Sequence, residues 1–152
     1  MFTLVPSNFF DPAAERETLA EVCRLKEEDT VSHIEIPQYN AVLIYSVDGD
    51  SSVSQLPEIY HILTRLPECS EYNKILCNVR NGILSIGIAQ GKSLLLANCF
   101  PVQNFTSAEY YIFLAMKSLQ LNPEVSGICW LGNLDEDDRM SLYRYFKTVE
   151  TL

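Results

Sequence analysis

The chain has 152 residues, 47% of them hydrophobic, which is typical of one folded domain or of part of a larger protein. Its formal net charge of −9 argues against the basic surface that nucleic acids and anionic membranes require, so we expect neither as a partner. No apolar run approaches the roughly 20 residues that span a bilayer. The basic segment and cleavage site of a signal peptide are missing from the opening residues, MFTLVPSNFF.

Five cysteines are spread along the chain, and none belongs to a C-x-x-C pair. Three of them lie in apolar segments, where a free thiol packs as a small hydrophobic side chain. This usage favours structural thiols over metal or catalytic roles and fits a reducing cytoplasm. The five are Cys23, Cys69, Cys77, Cys99 and Cys129.

The first part of the chain alternates short strands and helices. A strand is predicted from Phe2 to Val5, and Asp11-Pro12 starts a helix with an N-cap and a proline at its first position. Two further strands are predicted at Ser32 to Ile36 and at Ala41 to Val47. The residues between them, Pro37 to Asn40, suit a hairpin.

A polar loop and an amphipathic helix follow. The segment from Asp48 to Ser52 resembles the start of a calcium loop, but its glycine and closing glutamate are misplaced, so a plain loop is favoured. Pro57 then opens a helix that Pro67 ends. Its apolar stripe has helical spacing and comprises Ile59, Ile62, Leu63 and Leu66.

The next stretch predicts a three-stranded meander. Strands are expected at Ile75 to Val79, at Ile83 to Ala89 and at Ser93 to Phe100. Asn81-Gly82 joins the first two and is the strongest short hairpin signal in the chain, because a type I′ turn needs a positive φ at both central residues.

The final stretch predicts a helix, a strand and a second helix. A capping box of Thr106 and Glu109 precedes a nearly all-apolar helix from Tyr110 to Leu121, which we expect to be buried on most sides. A strand from Val125 to Leu131 follows. Asp135 then caps a last helix whose first turn is rich in carboxylates.

This order of elements, together with four short motifs, resembles a Bacteroidota domain family of unknown function with an actin-like ATPase fold. The motifs are Phe2 to Pro6, Cys77 to Gly82, Leu96 to Phe100 and Leu131 to Asn133. The resemblance covers essentially the whole chain and about the later three-fifths of a typical member.

The resemblance implies an α/β fold, an actin-like (ribonuclease H-like) mixed sheet flanked by helices. Residues 1–68 would form a partial first lobe with a crossover helix, and residues 69–152 the second lobe. Phe2 to Pro6 and Ala41 to Val47 would be the fourth and fifth strands of the first lobe. The first three strands of that lobe, which carry the first phosphate loop in such proteins, would be missing.

The resemblance also places two nucleotide motifs. The second phosphate loop of the superfamily is an Asp, a glycine-rich turn and a Thr, and here the Asp is replaced by Asn and one glycine survives. The adenosine motif is a pair of glycines after a strand, and here the second glycine is replaced by Asn. Both changes argue against ATP hydrolysis, and any binding of ATP with Mg²⁺ would be weak. The implied nucleotide-binding residues are Asn78, Arg80, Asn81, Gly82, Ser85, Gly132 and Asn133.

The other polar candidates have plainer interpretations. His33 and His61 lack a matching nucleophile or ligand spacing, so ordinary histidines are favoured. The run Asp135 to Asp138 suits a solvated helix start better than a cation site. Arg80 is interpreted as a surface hairpin residue rather than a phosphate ligand, and the aromatics Tyr110, Tyr111 and Phe113 as core. We therefore predict no catalytic and no metal-binding residue.

Three hypotheses for function remain open at this point. The first is a cytoplasmic, catalytically degenerate actin-like domain that binds another protein as a scaffold component. The second is a nucleotide-dependent ATPase or kinase whose missing lobe supplies the catalytic carboxylate. The third is a small module that forms a homodimer through unpaired edge strands near Phe2 and Ala41.

Overall fold

The computed structural model describes residues 1–48 and 56–152 of the chain. Apart from Asp48, the predicted loop with the calcium-like start lies outside the described residues. Contacts divide the chain into two compact units, Met1–Tyr60 and His61–Leu152. The boundary falls inside one helix, and the predicted division after residue 68 stays a prediction.

The first unit contains a three-stranded antiparallel sheet and one short helix. Its strands are β1 (Phe2–Pro6), β2 (Thr30–Ile36) and β3 (Ala41–Val47), and its helix is α1 (Glu15–Ala20). The spatial order is β1-β3-β2, and both pairings are antiparallel. A small core joins the helix to the sheet through Leu19, Val42 and Ile44.

The position of β3 corrects one expectation. Ala41–Val47 is the central strand of its sheet, with β1 on one side and β2 on the other, so it offers no unpaired edge. The predicted hairpin before it is confirmed, because Pro37–Tyr39 form a 3-10 turn and Asn40 closes it at a φ of +50°. Dimerisation through strand pairing stays a prediction, and in this unit it now depends on the edge strands β1 and β2.

The second unit is built on a five-stranded mixed sheet. The helix α2 (Glu58–Arg65) crosses the unit boundary and leads into it. The remaining elements, in chain order, are β4 (Asn73–Arg80), β5 (Ile83–Gln90), β6 (Ser93–Pro101), α3 (Phe105–Ser118), β7 (Gly127–Trp130), α4 (Glu136–Tyr143) and β8 (Thr148–Thr151).

The sheet has the order β6-β5-β4-β7-β8. The predicted meander is confirmed, since β4, β5 and β6 pair antiparallel, while β7 and β8 run parallel to β4. One face of the sheet packs on the buried sides of α3 and α4. The core there includes Ile75, Leu84, Ile112, Ile128 and Leu142, all fully buried.

The start of α3 differs from the prediction. The helix begins at Phe105, and its capping box pairs Asn104 with Ser107: the Ser107 amide donates to Asn104 Oδ1 at 2.9 Å, and the Asn104 amide donates to Ser107 Oγ at 3.1 Å. The expected box of Thr106 and Glu109 is therefore wrong by two residues. Asn is a better N-cap than Thr, but Thr106 and Glu109 match the usual capping-box pattern, whereas Asn104 and Ser107 do not, so that pattern favoured the wrong pair.

The end of the sheet also differs. The strand β7 is shorter than predicted, because Pro123–Val125 form a 3-10 turn before it. A fifth strand, β8, follows α4 and was not predicted. Of its four residues only Val149 is buried, so the segment carries too little apolar pattern to be recognised.

Candidate functional site

The hairpin between β4 and β5 has the predicted backbone. Asn81 and Gly82 have φ values of +52° and +72°, the positive values that a type I′ turn requires. The tip is held against the end of β6, because the Val102 amide donates to the Gly82 carbonyl at 2.8 Å. The hairpin that carries the eroded phosphate motif is therefore fixed on the sheet.

The segment after β7 is held at the same end of the strands as the β4–β5 hairpin. The Leu131 amide donates to the Cys77 carbonyl at 2.8 Å, and the Gly132 amide donates to the Leu152 carbonyl at 3.2 Å. Gly132 has a φ of +95°, and a Cβ built on it would meet no atom within 4 Å. Its backbone is thus open on the side where a side chain would point.

A cleft of about 510 Å³ opens between three segments at this end of the second unit. The segments are the β4–β5 hairpin, the link from β6 into α3, and the link from β7 into α4. The apolar wall consists of Val79, Val102, Phe105, Trp130 and Leu134, and the other lining residues are Gly82, Gln103, Asn104, Asn133, Asp135 and Asp138.

The cleft unites part of the predicted nucleotide set. Gly82 from the phosphate motif and Asn133 from the adenosine motif line the same cleft, although 50 other residues separate them in the chain. Gly132 immediately precedes Asn133, and Asn81 immediately precedes Gly82, but neither residue lines the cleft itself.

The remaining predicted residues lie elsewhere on the hairpin. Asn78 and Ser85 are cross-strand partners and are buried, and the Ser85 hydroxyl lies 3.4 Å from Cys99 Sγ. Because successive strand residues point to opposite faces, Asn78 points away from the face where Val79 meets the cleft. Arg80 alternates in the same way and ends β4 with its side chain exposed.

The face that carries Ser85 also carries Gly87. It is covered at Gly87 by Ile62 of α2 and by Leu66, which directly follows that helix. A Cβ on Gly87 would lie 2.9 Å from Ile62 Cγ2 and 3.3 Å from Leu66 Cδ2. The residues predicted to form a phosphate motif are thus divided between two faces of the sheet, one that borders the cleft and one that is covered by packed aliphatic side chains.

The electrostatics of the cleft are set by carboxylates. Burial, and then the neighbouring carboxylates of Asp135, Glu109 and Asp137, raise the pKa of Asp138 above its ordinary value. Glu109 accepts a hydrogen bond from the Ser141 hydroxyl, and Asp135 caps α4 by accepting from the Asp138 amide at 2.9 Å. Within the described residues, Asp138 has no ion pair to offset this negative field.

The aromatic part of the wall is pre-assembled. The rings of Phe105 and Trp130 pack against each other with centroids 5.5 Å apart and planes inclined by 52°. Trp130 is only 5% exposed, so the ring is fixed in place by the core beneath it. A ligand in the cleft would meet a rigid aromatic surface beside a pair of carboxylates.

The thiols are those expected of a packed interior. All five cysteines are free, and Cys69, Cys77 and Cys129 are buried. Burial raises the pKa of the Cys77 thiol, and a hydrogen bond with Cys69, together with burial, raises the pKa of Cys129. Raised pKa values leave little of the reactive thiolate.

The described residues contain neither a metal-binding cluster nor a helix that could cross a membrane. No group of three or more His, Cys, Asp or Glu side chains is arranged to hold a metal ion in residues 1–48 and 56–152. His33 packs on Phe10 and pairs with Glu15. Over the same ranges, no helix combines the length and apolar character needed to cross a membrane.

Comparison with solved structures defines the fold. The chain is similar to a crystal structure from Bacteroides thetaiotaomicron VPI-5482, described as a protein with an actin-like ATPase fold and unknown function. The TM-score is 0.77 at 20% sequence identity, over 99% of this chain and 64% of that one. The predicted actin-like mixed α/β fold is therefore confirmed, and the chain spans 64% of the length of that relative.

Comparison with family profiles assigns the chain to a family. Residues 1–149 match the family described as "Protein of unknown function (DUF3822)", and the chain belongs to it. The predicted family resemblance is confirmed. No curated protein matches the chain.

Sequence reasoning found two of the eleven lining residues and missed the link that precedes α3. Val102, Gln103, Asn104 and Phe105 carry no motif, and only the folding of the β6 end against the hairpin brings them to the cleft. Asp135 was recognised as a cap and Asp138 as part of a charged helix start. The available signal was the pair of helix starts that follow β6 and β7, the strands that flank the β5–β4 hairpin in the sheet.

Proposed function

We propose that this domain is a protein-binding component that has lost the ability to hydrolyse ATP. The observation that carries the proposal is the charge of the cleft where the two nucleotide motifs meet. Its charged lining residues, among those the structure describes, are the carboxylates Asp135 and Asp138, and none is Lys or Arg. A triphosphate placed there would add negative charge to a site that is already negative.

The division of the phosphate motif supports the same conclusion. A phosphate loop works by aiming several backbone amides and a metal-holding carboxylate at one point. Here the residue at the carboxylate position, Asn78, is buried on the sheet face opposite the cleft, whereas Gly82 of the turn lines the cleft. Chemistry on a γ-phosphate would need both groups on the same side.

Protein binding fits the shape and composition of the cleft. Clefts of several hundred Å³ with an apolar wall and a few convergent polar groups are typical binding sites. Aromatic anchors are also enriched at the centres of protein interfaces. Both features are present beside the hairpin, in Phe105 and Trp130 and in the two carboxylates.

One observation favours a second candidate, the binding of a nucleoside or nucleotide without hydrolysis. Gly132 follows β7 where the superfamily holds adenosine, and its open backbone leaves room for a base to stack. A base is uncharged and would tolerate the carboxylates. Under this alternative, adenosine would bind at least as well as ATP, because the phosphates would contribute nothing favourable.

Site-specific photo-crosslinking in the native cell tests the first proposal. A photoreactive residue replaces Gln103, which is exposed and lines the cleft, and in a matched variant it replaces Lys92, which is exposed on the turn between β5 and β6. We expect one discrete cross-linked protein from position 103 that is absent from position 92. The purified partner should then bind the wild-type chain. Identical products from both positions, or none from position 103, would overturn the proposal.

A further inference from the structure

The lining of the cleft combines apolar and acidic residues, and this combination indicates the chemistry of the ligand. The lining is partly apolar and aromatic and includes Val102, Phe105 and Trp130. The same lining carries Asp135 and Asp138 at the start of α4. A ligand that fills it must combine an apolar or flat surface with a positive group.

Within the described residues, no Lys, Arg or His side chain pairs with the two cleft carboxylates. Every charged group that acts appreciably on Asp138 is another carboxylate, and burial adds to their effect. Neither cleft carboxylate is part of an ion pair within the described residues, although exposed pairs such as Arg65 with Glu68 form elsewhere in the unit. A bound cation would reduce the repulsion between these carboxylates, and this would favour its binding over that of an apolar ligand.

We infer that the cleft binds an arginine side chain presented by a partner protein, with its guanidinium at Asp135 and Asp138 and its stem along the apolar wall. This inference rests on the proposed function and names the chemistry of the partner. Arginine fits better than lysine for two reasons. Its planar fork can be shared between carboxylate oxygens, and its flat face can stack on the half-buried ring of Phe105, which packs on Trp130.

The size of the cleft is compatible with this occupant. A volume of about 510 Å³ lies within the range of clefts that enclose small ligands. One long side chain and its flanking backbone would fill most of it. Gln103 and Asn133 then lie on the cleft lining, where their amides can bond to the partner backbone.

Titration followed by nuclear magnetic resonance tests the inference directly. The probe is a five-residue capped peptide with a central arginine, and the control peptide carries citrulline, a neutral group of the same shape, at that position. We expect the arginine peptide to shift the amides of Gly82, Asn133 and Asp138. The citrulline peptide should bind at least about tenfold more weakly, a difference of about 1.4 kcal/mol.

Two double variants separate a specific site from general charge. Asp135→Asn with Asp138→Asn removes both cleft carboxylates but keeps a good N-cap, because Asn caps as well as Asp. Glu136→Gln with Asp137→Asn removes the same charge from the same helical turn at residues that do not line the cleft. The first should weaken the arginine peptide about tenfold or more, and the second by less than about twofold.

The outcomes distinguish this inference from the proposed function. Equal binding of the two peptides, or equal losses in the two variants, would overturn the arginine assignment. The arginine assignment would also be overturned if no amide shifts at about 10 mM peptide, because the binding free energy would then be weaker than about 3 kcal/mol. If position 103 still cross-links a partner in that case, the proposed function stands without the inference. If no partner is cross-linked but the arginine peptide binds, the cleft recognises arginine, but the proposed function is overturned and the assignment of that arginine to a partner protein falls with it.

Discussion

Replacement of Gly132 by alanine isolates a purely backbone effect at the edge of the cleft. Gly132 has a φ of +95°, which L-residues rarely adopt, yet an added Cβ would meet no atom within 4 Å. Placing an L-residue in the left-handed region costs about 1–2 kcal/mol. Alanine also restricts the unfolded chain, which returns about 0.4–1 kcal/mol. The expected net loss in the free energy of unfolding is therefore about 1 kcal/mol.

Urea unfolding, monitored by tryptophan fluorescence, measures this loss. For a protein of this size it corresponds to a fall of about 2–4 °C in the thermal midpoint. Gly132→Asn is the matched variant, and it should lose less than alanine because Asn tolerates positive φ. A loss above about 3 kcal/mol would mean that the side chain collides with a neighbour, and a gain in stability for alanine would mean that φ is not positive. Either result would refute the backbone geometry given for Gly132.

Three further outcomes are expected. Ile112→Ala should lower the free energy of unfolding by about 2–5 kcal/mol, because Ile112 is fully buried. Leu114→Ala, at a 45% exposed site, should lower it by less than about 1 kcal/mol. Chemical denaturation of both variants measures the two losses. Asn104→Ala should cost about 1 kcal/mol and Thr106→Ala much less, since Asn104 is the N-cap of α3, and a larger loss at Thr106 would contradict that assignment. Asp138→Asn should stabilise the protein near pH 7. The raised pKa of Asp138 means that the folded wild-type chain binds a proton more readily than the unfolded chain does. The stability of the wild-type chain therefore falls as the pH rises from the ordinary Asp pKa through the raised value. Denaturation curves across pH should show the advantage of Asn vanish at low pH, and an advantage that instead persists or grows on acidification would contradict the sign.

The local signals in the sequence predicted the elements that local chemistry determines. Asn81-Gly82 specified its hairpin because only a few residue types tolerate two consecutive positive φ values. Asp135 was recognised as the cap of α4 because its side chain serves amides within its own turn. These features need no knowledge of the rest of the molecule.

Features that depend on distant residues were missed or misplaced. The strand β8 has one buried side chain, Val149, and is defined by its pairing with β7 rather than by its own pattern. The central position of Ala41–Val47 follows from pairing with β1, whose sequence lies far upstream. Likewise, the cleft forms only where the β4–β5 hairpin, the link into α3 and the link into α4 meet, and the sequence of any one of them does not predict it.

The nucleotide residues illustrate the same limit. A motif aligned along the chain cannot say which face of a strand each member occupies. Gly82 and Asn133 reach the cleft, whereas Asn78 and Ser85 are buried on the opposite face, the face that Ile62 and Leu66 cover at Gly87. Alternation along β4 and β5 becomes decisive only once the register of the sheet is known.

Calorimetric titration of magnesium-ATP into the wild-type chain tests the central claim most directly. The account predicts no saturable heat at millimolar ATP, because the cleft presents Asp135 and Asp138 to the phosphates and offers no cation among its described lining residues. The Asp135→Asn and Asp138→Asn double variant controls for charge and should gain affinity for ATP if repulsion is the reason. Saturable binding of magnesium-ATP to the wild-type chain, stronger than that of adenosine, would contradict the account and restore the nucleotide-dependent enzyme.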